Sequence, residues 1–291
     1  MLLTHGWSLD SSAWDYVLEP LAARYRVVVW DLPGLGDSTP GSRKEFSIEH
    51  MAADLEAVRR AVKTDSHLIM VGHSIGGMIL QTWCQLYPRQ LGAAVQGIVL
   101  LQTTYTNPLK TNVAAWITTL LQYPVIVPLN WLMIAVAPLV WLSNWQSYRN
   151  GSLHLTTRFT SFSGRQTREH IEHAARLTVA AWPATIARGN LAMTRFNGES
   201  ILPEIGIPVL VVSGKHDRMT VSAASEQISR LLPNDRPFSL DSGHLGLFEC
   251  SAPLTEILCE FTERLLRDSD TARRATDNAP KNVSAATAST K

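Results

Sequence analysis

The stretch Gly72-His73-Ser74-Ile75-Gly76-Gly77 follows the apolar run His67-Leu68-Ile69-Met70-Val71 and precedes a helix-like run over residues 78–87. A serine between glycines, at a turn from a strand into a helix, is typical of a nucleophile elbow, in which the turn strains the serine backbone and exposes its hydroxyl. Small neighbours keep side chains out of the turn. The order of strand, turn and helix therefore makes Ser74 the candidate nucleophile.

Further apolar runs, bounded by turn residues, alternate with helix-like segments along the chain. Predicted strands lie at residues 26–31, 97–102, 208–214 and 237–241. Between the first of these and the elbow, apolar residues recur at helical spacing: Ile48, Met51, Ala52, Leu55, Val58 and Val62. A strand, helix, strand order indicates parallel pairing through a helical crossover. The pattern predicts an open, mostly parallel, doubly wound α/β sheet.

Composition excludes several classes of partner. The 291 residues carry a formal net charge of +1, so no basic excess indicates nucleic-acid binding. The three cysteines, Cys84, Cys250 and Cys259, are odd in number and widely spaced, which argues against a disulfide framework. No Cys/His cluster has zinc-ligand spacing, and we expect neither a metal nor an organic cofactor.

The two ends of the sequence differ from the rest. No charged segment followed by a long apolar segment precedes His5, so no signal peptide is present in this sequence and we expect a cytoplasmic protein. Residues 268–291 contain scarcely an apolar side chain and predict a disordered tail.

Five blocks together resemble the α/β-hydrolase fold, and the resemblance spans nearly all of residues 1–267. They are His5-Gly6-Trp7, Asp31-Leu32-Pro33-Gly34-Leu35-Gly36-Asp37-Ser38, the elbow, His216-Asp217 and Gly243-His244. The resemblance implies a nucleophile, an acid and a histidine in that chain order: Ser74, Asp217 and His244. It also implies that the amides of Trp7 and Ile75 form the oxyanion hole. Members of this family usually carry an antiparallel hairpin before the first block, and this sequence begins where that hairpin should already have ended. Two interpretations stay open: the sequence is truncated at its start, or the sheet lacks its first edge strands.

Each role fits its residue type. A serine hydroxyl needs a base such as His244, and a carboxylate such as Asp217 then holds the imidazole tautomer. Asp241 and Asp31 are alternative acids. The remaining histidines near the motifs, His5, His73 and His216, are interpreted as structural or solvated, and Asp31 with Ser38 is expected to hold the glycine-rich turn.

The segment between the two halves of the core has an unusual composition. We expect core residues 1–106, a helical, apolar and Trp-rich cap over 107–203, and core residues 204–267. Residues 111–148 contain no Asp, Glu, Lys, Arg or His and include Trp116, Trp131, Trp141 and Trp145. Three interpretations stay open: packing of a cap against the core, an apolar acyl pocket, or contact with a membrane surface. A single membrane crossing would separate Ser74 from the other two site residues.

These features predict a serine hydrolase, of carboxylesterase or lipase type, that cleaves an uncharged, apolar ester through an acyl-enzyme on Ser74. The same three residues also serve thioesterases, amidases, carbon–carbon bond hydrolases, cofactor-free peroxidases and acyltransferases, and the fold alone does not choose among them. A ligand receptor on the same fold, or a structural protein anchored through residues 111–148, are alternatives of other classes. The oligomeric state is not indicated.

Overall fold

A computed structural model describes residues 1–41, 46–62 and 68–277. Its centre is a six-stranded sheet in the order β2-β1-β3-β4-β5-β6, and every strand pair in it is parallel. The strands are β1 (Leu2–Thr4), β2 (Val28–Trp30), β3 (Leu68–His73), β4 (Val95–Leu101), β5 (Val209–Gly214) and β6 (Asp235–Leu240). The predicted α/β-hydrolase fold, with a parallel, doubly wound sheet, is confirmed.

Helices cover both faces of this sheet. They are α1 (Asp15–Ala22), α2 (Ile48–Ala61), α3 (Ile75–Leu86), α10 (Ser222–Leu231), α11 (Gly246–Glu249) and α12 (Ser251–Asp277). Successive strand residues point to opposite faces, so Met70 packs in a core with α2, α3 and α10, while Ile69 and Val71 pack in a second core with α1 and α12. Strands β3, β4 and β5 are buried on both faces, which explains why they are continuous apolar runs, whereas the edge strands β2 and β6 are partly exposed.

The strand order reverses direction between β1 and β3. Strand β2 lies on one side of β1. Strand β3 lies on the other side, and β4, β5 and β6 follow in order away from it. In open α/β sheets, ligands bind at the carboxyl ends of strands near such a reversal. All predicted site residues follow the carboxyl ends of β1, β3, β5 and β6, so the topology gathers them at one edge.

Six α-helices lie between β4 and β5. They are α4 (Ala115–Leu121), α5 (Val127–Ala135), α6 (Ala137–Arg149), α7 (Ser152–Ser161), α8 (Arg168–Ala180) and α9 (Pro183–Met193), and a π-helical turn (Gln122–Ile126) joins α4 to α5. The prediction that residues 107–203 are helical agrees with these bounds. Their role as a cap stays a prediction.

Two ends of elements differ from the sequence-based expectation. Strand β1 has only three residues and is not among the strands that the sequence predicts, yet it pairs with both β2 and β3. Helix α12 continues to Asp277, so the disorder predicted from residue 268 is wrong for residues 268–277. Leu265, in the second half of α12, is buried in the core. Once a helix has formed, each added residue gains a backbone hydrogen bond, which favours continuation of α12 beyond this contact. The rest of the predicted tail, residues 278–291, lies outside the described residues.

Candidate active site

Ser74 occupies a strained turn between β3 and α3. Its backbone angles are φ 54° and ψ −117°, a conformation that favours glycine, and its amide donates to the carbonyl of Leu101 at 3.0 Å. The flanking glycines permit the turn, because a Cβ on Gly72 would lie 2.4 Å from the backbone of Gly76, and one on Gly76 would lie 2.5 Å from the carbonyl oxygen of Thr4. The glycine pattern therefore has a steric cause.

The structure brings Ser74, His244 and Asp217 into one hydrogen-bonded chain. Nε2 of His244 lies 3.0 Å from Oγ of Ser74, and Nδ1 of the same ring lies 2.8 Å from Oδ2 of Asp217. The carboxylate accepts from Nδ1–H, which leaves Nε2 of the neutral ring free to accept the proton of Ser74. The geometry is that required of a base acting on a serine hydroxyl.

The carboxylate of Asp217 is buried and accepts several hydrogen bonds. The amides of Met219 and Thr220 donate to Oδ1 at 2.8 and 2.9 Å, and the hydroxyl of Thr220 donates to Oδ2 at 2.8 Å. Burial opposes ionisation, but attraction to His244 and the bonds from His244 and Thr220 outweigh it, so the pKa of Asp217 lies below its usual value. The group is ionised and held in one orientation at neutral pH.

The two alternative acids are engaged elsewhere. Asp241 pairs with His216 at 2.9 Å and with Arg165 at the surface. Asp31 accepts from the amides of Ser11 and Asp37 at 2.7 and 3.0 Å. Neither carboxylate takes the place of Asp217 beside His244.

The glycine-rich turn after β2 is held as expected. The hydroxyl of Ser38 donates to the carbonyl of Asp31 at 2.7 Å, which closes the turn together with the carboxylate contacts. His5 is also structural: Nδ1–H donates to the carbonyl of Gly6 at 2.8 Å, and Nε2 accepts from the amide of Leu32 at 3.0 Å. The buried ring thus ties the loop after β1 to the loop after β2.

The loop that carries His244 is held by residues that the sequence analysis did not identify. Gln102 donates from Nε2 to the carbonyl of Gly243 and accepts at Oε1 from the amide of Gly246, at 2.9 Å, so it bridges both sides of His244. Glu249 accepts from the amide of Gly243 at 2.7 Å. Neither residue lies in a recognisable motif, although Gln102 is the last residue of a predicted strand.

The two amides predicted for the oxyanion hole lie on neighbouring strand ends. Thr4 pairs with Gly72 in the sheet, and Trp7 and Ile75 each follow their paired residue by three positions. Ile75 opens α3, so its amide has no intrahelical partner. The Trp7 indole donates from Nε1 to the carbonyl of Ile186 in α9 at 3.1 Å, which fixes the loop after β1.

A cavity of about 210 Å³ opens beside Ser74 and His244. It is smaller than the ~300–1,000 Å³ usual for drug-sized ligands. Its walls are apolar and uncharged-polar side chains from the loop after β1 and from α3, α7, α8 and α9, and they contain no Asp, Glu, Lys or Arg. They include Leu9, Met78, Thr157, Ser161, Thr178, Ile186, Asn190, Met193 and Leu245.

No residue of the segment 111–148 lines this cavity. The acyl pocket expected from that segment is therefore not part of the cavity beside Ser74. Helix α5 instead packs against the outer side of α9, and the residues of α9 form the wall. Composition alone does not distinguish a helix that lines the cavity, such as α9, from a helix that packs on its outer side, such as α5.

The cysteines take no part in this hydrogen-bonded chain of side chains. Cys84, Cys250 and Cys259 are free and buried. Within residues 1–41, 46–62 and 68–277, no group of three or more His, Cys, Asp or Glu side chains is arranged to hold a metal ion.

Similar proteins share the fold of this chain. A solved esterase from Thermogutta terrifontis superposes with a TM-score of 0.69 at 22% identity, covering 91% of this chain and 89% of that one, which shows the fold. Pimeloyl-[acyl-carrier protein] methyl ester esterase from Aeromonas hydrophila is 30% identical over 95 residues, which is 33% of this chain and only 35% of that relative. The magnesium-chelatase 30 kDa subunit of Rhodobacter capsulatus is 28% identical over 257 residues, covering 84% of this chain and 80% of that relative.

The family model for the alpha/beta hydrolase fold matches residues 1–250. This range includes the elbow, the carboxylate of Asp217 and the loop of His244. The chain belongs to the α/β-hydrolase fold family.

Proposed function

We propose that the protein is a serine hydrolase that cleaves an uncharged, apolar carboxylic ester through an acyl-enzyme on Ser74. The observation that carries this proposal is the hydrogen-bonded chain from Ser74 Oγ to His244 Nε2, 3.0 Å, and from His244 Nδ1 to Asp217 Oδ2, 2.8 Å. The chain lies at a cavity without ionised wall residues. The esterases among the similar proteins support the same class of reaction.

In the first step, Oγ of Ser74 attacks the ester carbonyl carbon while His244 Nε2 takes the hydroxyl proton. The negative charge on the carbonyl oxygen is stabilised by the amides of Trp7 and Ile75. Asp217 stabilises the imidazolium and keeps Nδ1 protonated. The tetrahedral intermediate then expels the alcohol, which receives the proton from Nε2, and the acyl group stays on Oγ.

In the second step, water attacks the acyl-enzyme. His244 Nε2 takes a proton from the water, the second tetrahedral intermediate breaks its bond to Oγ, and Ser74 recovers its proton from the imidazolium. The products are the carboxylic acid and the free enzyme. The step needs no group beyond this chain and water.

The cavity indicates the class of substrate. An ionised group that entered this cavity would lose its hydration, and the wall offers it no opposite charge. Its transfer from water would therefore cost free energy. Met78, Ile186 and Met193 offer apolar contact, and Asn190 offers a neutral hydrogen-bonding side chain. The small volume suits a short acyl or alcohol group, with the rest of a larger substrate outside the cavity.

The test is labelling with an active-site fluorophosphonate, together with hydrolysis of aryl esters and thioesters of graded chain length. We expect the wild type and the exposed-serine control Ser239→Ala to be labelled, and Ser74→Ala to lose labelling. Ester turnover should be highest for short, uncharged acyl groups. Equal labelling of Ser74→Ala, or no turnover of any ester by a protein that folds normally, would contradict the proposal, and the second outcome would favour a ligand receptor.

A further inference from the structure

Helices α4, α5 and α6 expose their apolar side chains and bury polar ones. The buried side chains of the segment 111–148 are Thr111, Gln122, Asn130 and Ala137. Large apolar and aromatic side chains face outward: Trp116, Ile117, Leu120, Tyr123, Val125, Leu129, Trp131, Leu132, Leu139, Trp141, Leu142 and Trp145. We call these twelve side chains the uncharged surface. A helix on the surface of a protein in water has the opposite arrangement.

Hydrogen bonds between amide side chains attach these helices to the rest of the protein. Asn107 donates to Oε1 of Gln122 at 2.9 Å, and Asn190 of α9 donates to Oδ1 of Asn130 at 3.1 Å. Asn130 also donates to the carbonyl of Ile126 at 2.8 Å. The polar atoms thus face the protein, while the side chains of the uncharged surface are exposed.

The exposure is large for apolar side chains. Trp116 is 74%, Leu120 68% and Tyr123 76% exposed. Contiguous apolar area of this kind on a folded domain marks a site of contact with another protein or with a membrane.

A single crossing of a bilayer by these helices is incompatible with the geometry of the site. The helical stretch Ala115–Ala135, with 21 residues and a mean hydropathy of 1.4, is long and apolar enough to cross a bilayer. Ser74 precedes this stretch and His244 follows it, yet their side chains are 3.0 Å apart. A single crossing would put them on opposite sides of the bilayer, so the stretch enters one leaflet at most.

Charge distinguishes a lipid surface from a second copy of this chain. Between residues 107 and 168 the charged side chains are Lys110, Arg149, Arg158, Arg165 and Arg168, with no Asp or Glu. Lys110 and Arg149, which we call the basic rim, lie just before and just after the segment 111–148 in the sequence, and the Arg149 guanidinium lies over the ring of Trp145 at 4.7 Å. One carboxylate from outside this stretch, Glu172, accepts from Tyr148 and is already bonded to His154. Two copies facing each other through this surface would bring their basic rims together, whereas anionic headgroups complement the rim.

We propose that the uncharged surface docks the protein on an anionic lipid bilayer, with its Trp, Tyr and Leu side chains in the headgroup region and its basic rim on the lipid phosphates. The surface is separate from the cavity, because α9 lies between them: Asn190 of α9 lines the cavity and donates to Asn130 on the buried side of α5. In the docked protein, α9 would lie between the lipid and the cavity, so the cavity would stay free for substrate.

The first experiment is flotation of the full chain with vesicles of phosphatidylcholine alone and of phosphatidylcholine mixed with phosphatidylglycerol. We expect flotation with the mixed vesicles, weakened by added salt, and less with neutral vesicles. Ser74→Ala should float like the wild type, because docking does not depend on hydrolysis. Absence of flotation with the mixed vesicles would overturn the proposal whether or not the protein hydrolyses esters.

A matched pair of double variants locates the contact. Leu120→Glu with Leu139→Glu changes two side chains of the uncharged surface, 68% and 67% exposed, and should lower the vesicle partition coefficient about tenfold or more. The control, Leu86→Glu with Leu266→Glu, adds the same charge at two exposed leucines in α3 and α12 and should partition like the wild type. Equal partitioning of the two variants would overturn the assignment.

Sedimentation without vesicles tests the competing occupant. We expect a monomer whose mass does not change in Leu120→Glu with Leu139→Glu. A dimer that this variant dissociates, in a protein that fails to float, would overturn the lipid proposal and assign the surface to a contact between copies.

Discussion

The imidazole of His73 donates from Nε2 to the backbone carbonyl of His244 at 2.9 Å. His73, which precedes Ser74, is thus bonded to the backbone of His244. This hydrogen bond joins the elbow directly to the loop after β6. Burial, reinforced by the neighbouring charge of His244, lowers the pKa of His73 to about 3. The His73 ring is therefore neutral at neutral pH and does not repel an imidazolium at His244.

Exchanging Asp217 for asparagine should remove most activity. Asp217→Asn keeps the shape but favours the wrong imidazole tautomer, so we expect kcat to fall by about 10⁴-fold. The control, Asp241→Asn, breaks an exposed contact with Arg165 and His216 and should leave kcat near the wild-type value. Steady-state kinetics on a short aryl ester measures both. Full activity in Asp217→Asn would assign the acid to another residue.

Gln102 should act as a positioning residue. Gln102→Ala removes the bonds to Gly243 and Gly246 and lets the His244 loop shift, so we expect kcat to fall about 10–100-fold with KM nearly unchanged. Gln96→Ala is the control on the same strand, because its side chain bonds only the exposed turn at Gly92 and Ala93. A change in KM alone, or equal kcat in the two variants, would contradict this role.

Position 189 should accept only glycine, because the ring of Trp7 occupies the space that a side chain would need. A Cβ at position 189 would lie 2.0 Å from the Cζ2 atom of Trp7, so Gly189→Ala must displace the indole and the loop that carries the Trp7 amide. Alanine usually stabilises a helix relative to glycine, yet here we expect a lower melting temperature and a kcat lowered about tenfold or more. Gly206→Ala, with no atom within 4 Å of the added Cβ, should change neither quantity. Equal behaviour of the two variants would exclude the steric role.

Glu56 should contribute to stability at neutral pH. Its carboxylate accepts from Arg59 and Arg60 at 2.7 Å and from the buried indole of Trp83 at 3.0 Å. Burial raises its pKa, but these bonds outweigh burial and lower the pKa to about 2 from the ordinary 4.5. Ionised Glu56 therefore stabilises the fold above pH 4.5, and this contribution is lost as the pH falls toward 2.

The variant Glu56→Gln measures that contribution. We expect its free energy of unfolding at pH 7 to be about 1–3 kcal/mol lower than that of the wild type, by urea denaturation. The difference should narrow as the pH is lowered through the window between the two pKa values. A difference that does not change with pH would show that the charge of Glu56 is not the cause.

The centre of the sheet could be predicted because β3, β4 and β5 are buried on both faces and are therefore apolar runs. Strand β1 escaped prediction because Leu2–Thr4 is too short to show a pattern and is recognised only by its pairing with β2 and β3. Gln102 and Thr220 escaped for a different reason. The fold brings Gln102 to Gly243, and a local turn brings Thr220 to Asp217. A single polar residue in a sequence does not indicate which group it will bond.

The sequence by itself determined the parallel α/β core and the candidate site residues, because turns and strand ends have local steric requirements such as those around Ser74. Only the tertiary structure decided which carboxylate meets His244 and where residues 111–148 lie. A segment that is apolar on all sides has no amphipathic direction, so its composition fits a core, a pocket wall or an outer surface equally well. Packing of α5 against α9, through Asn130 and Asn190, resolves the choice and leaves the tryptophans facing outward.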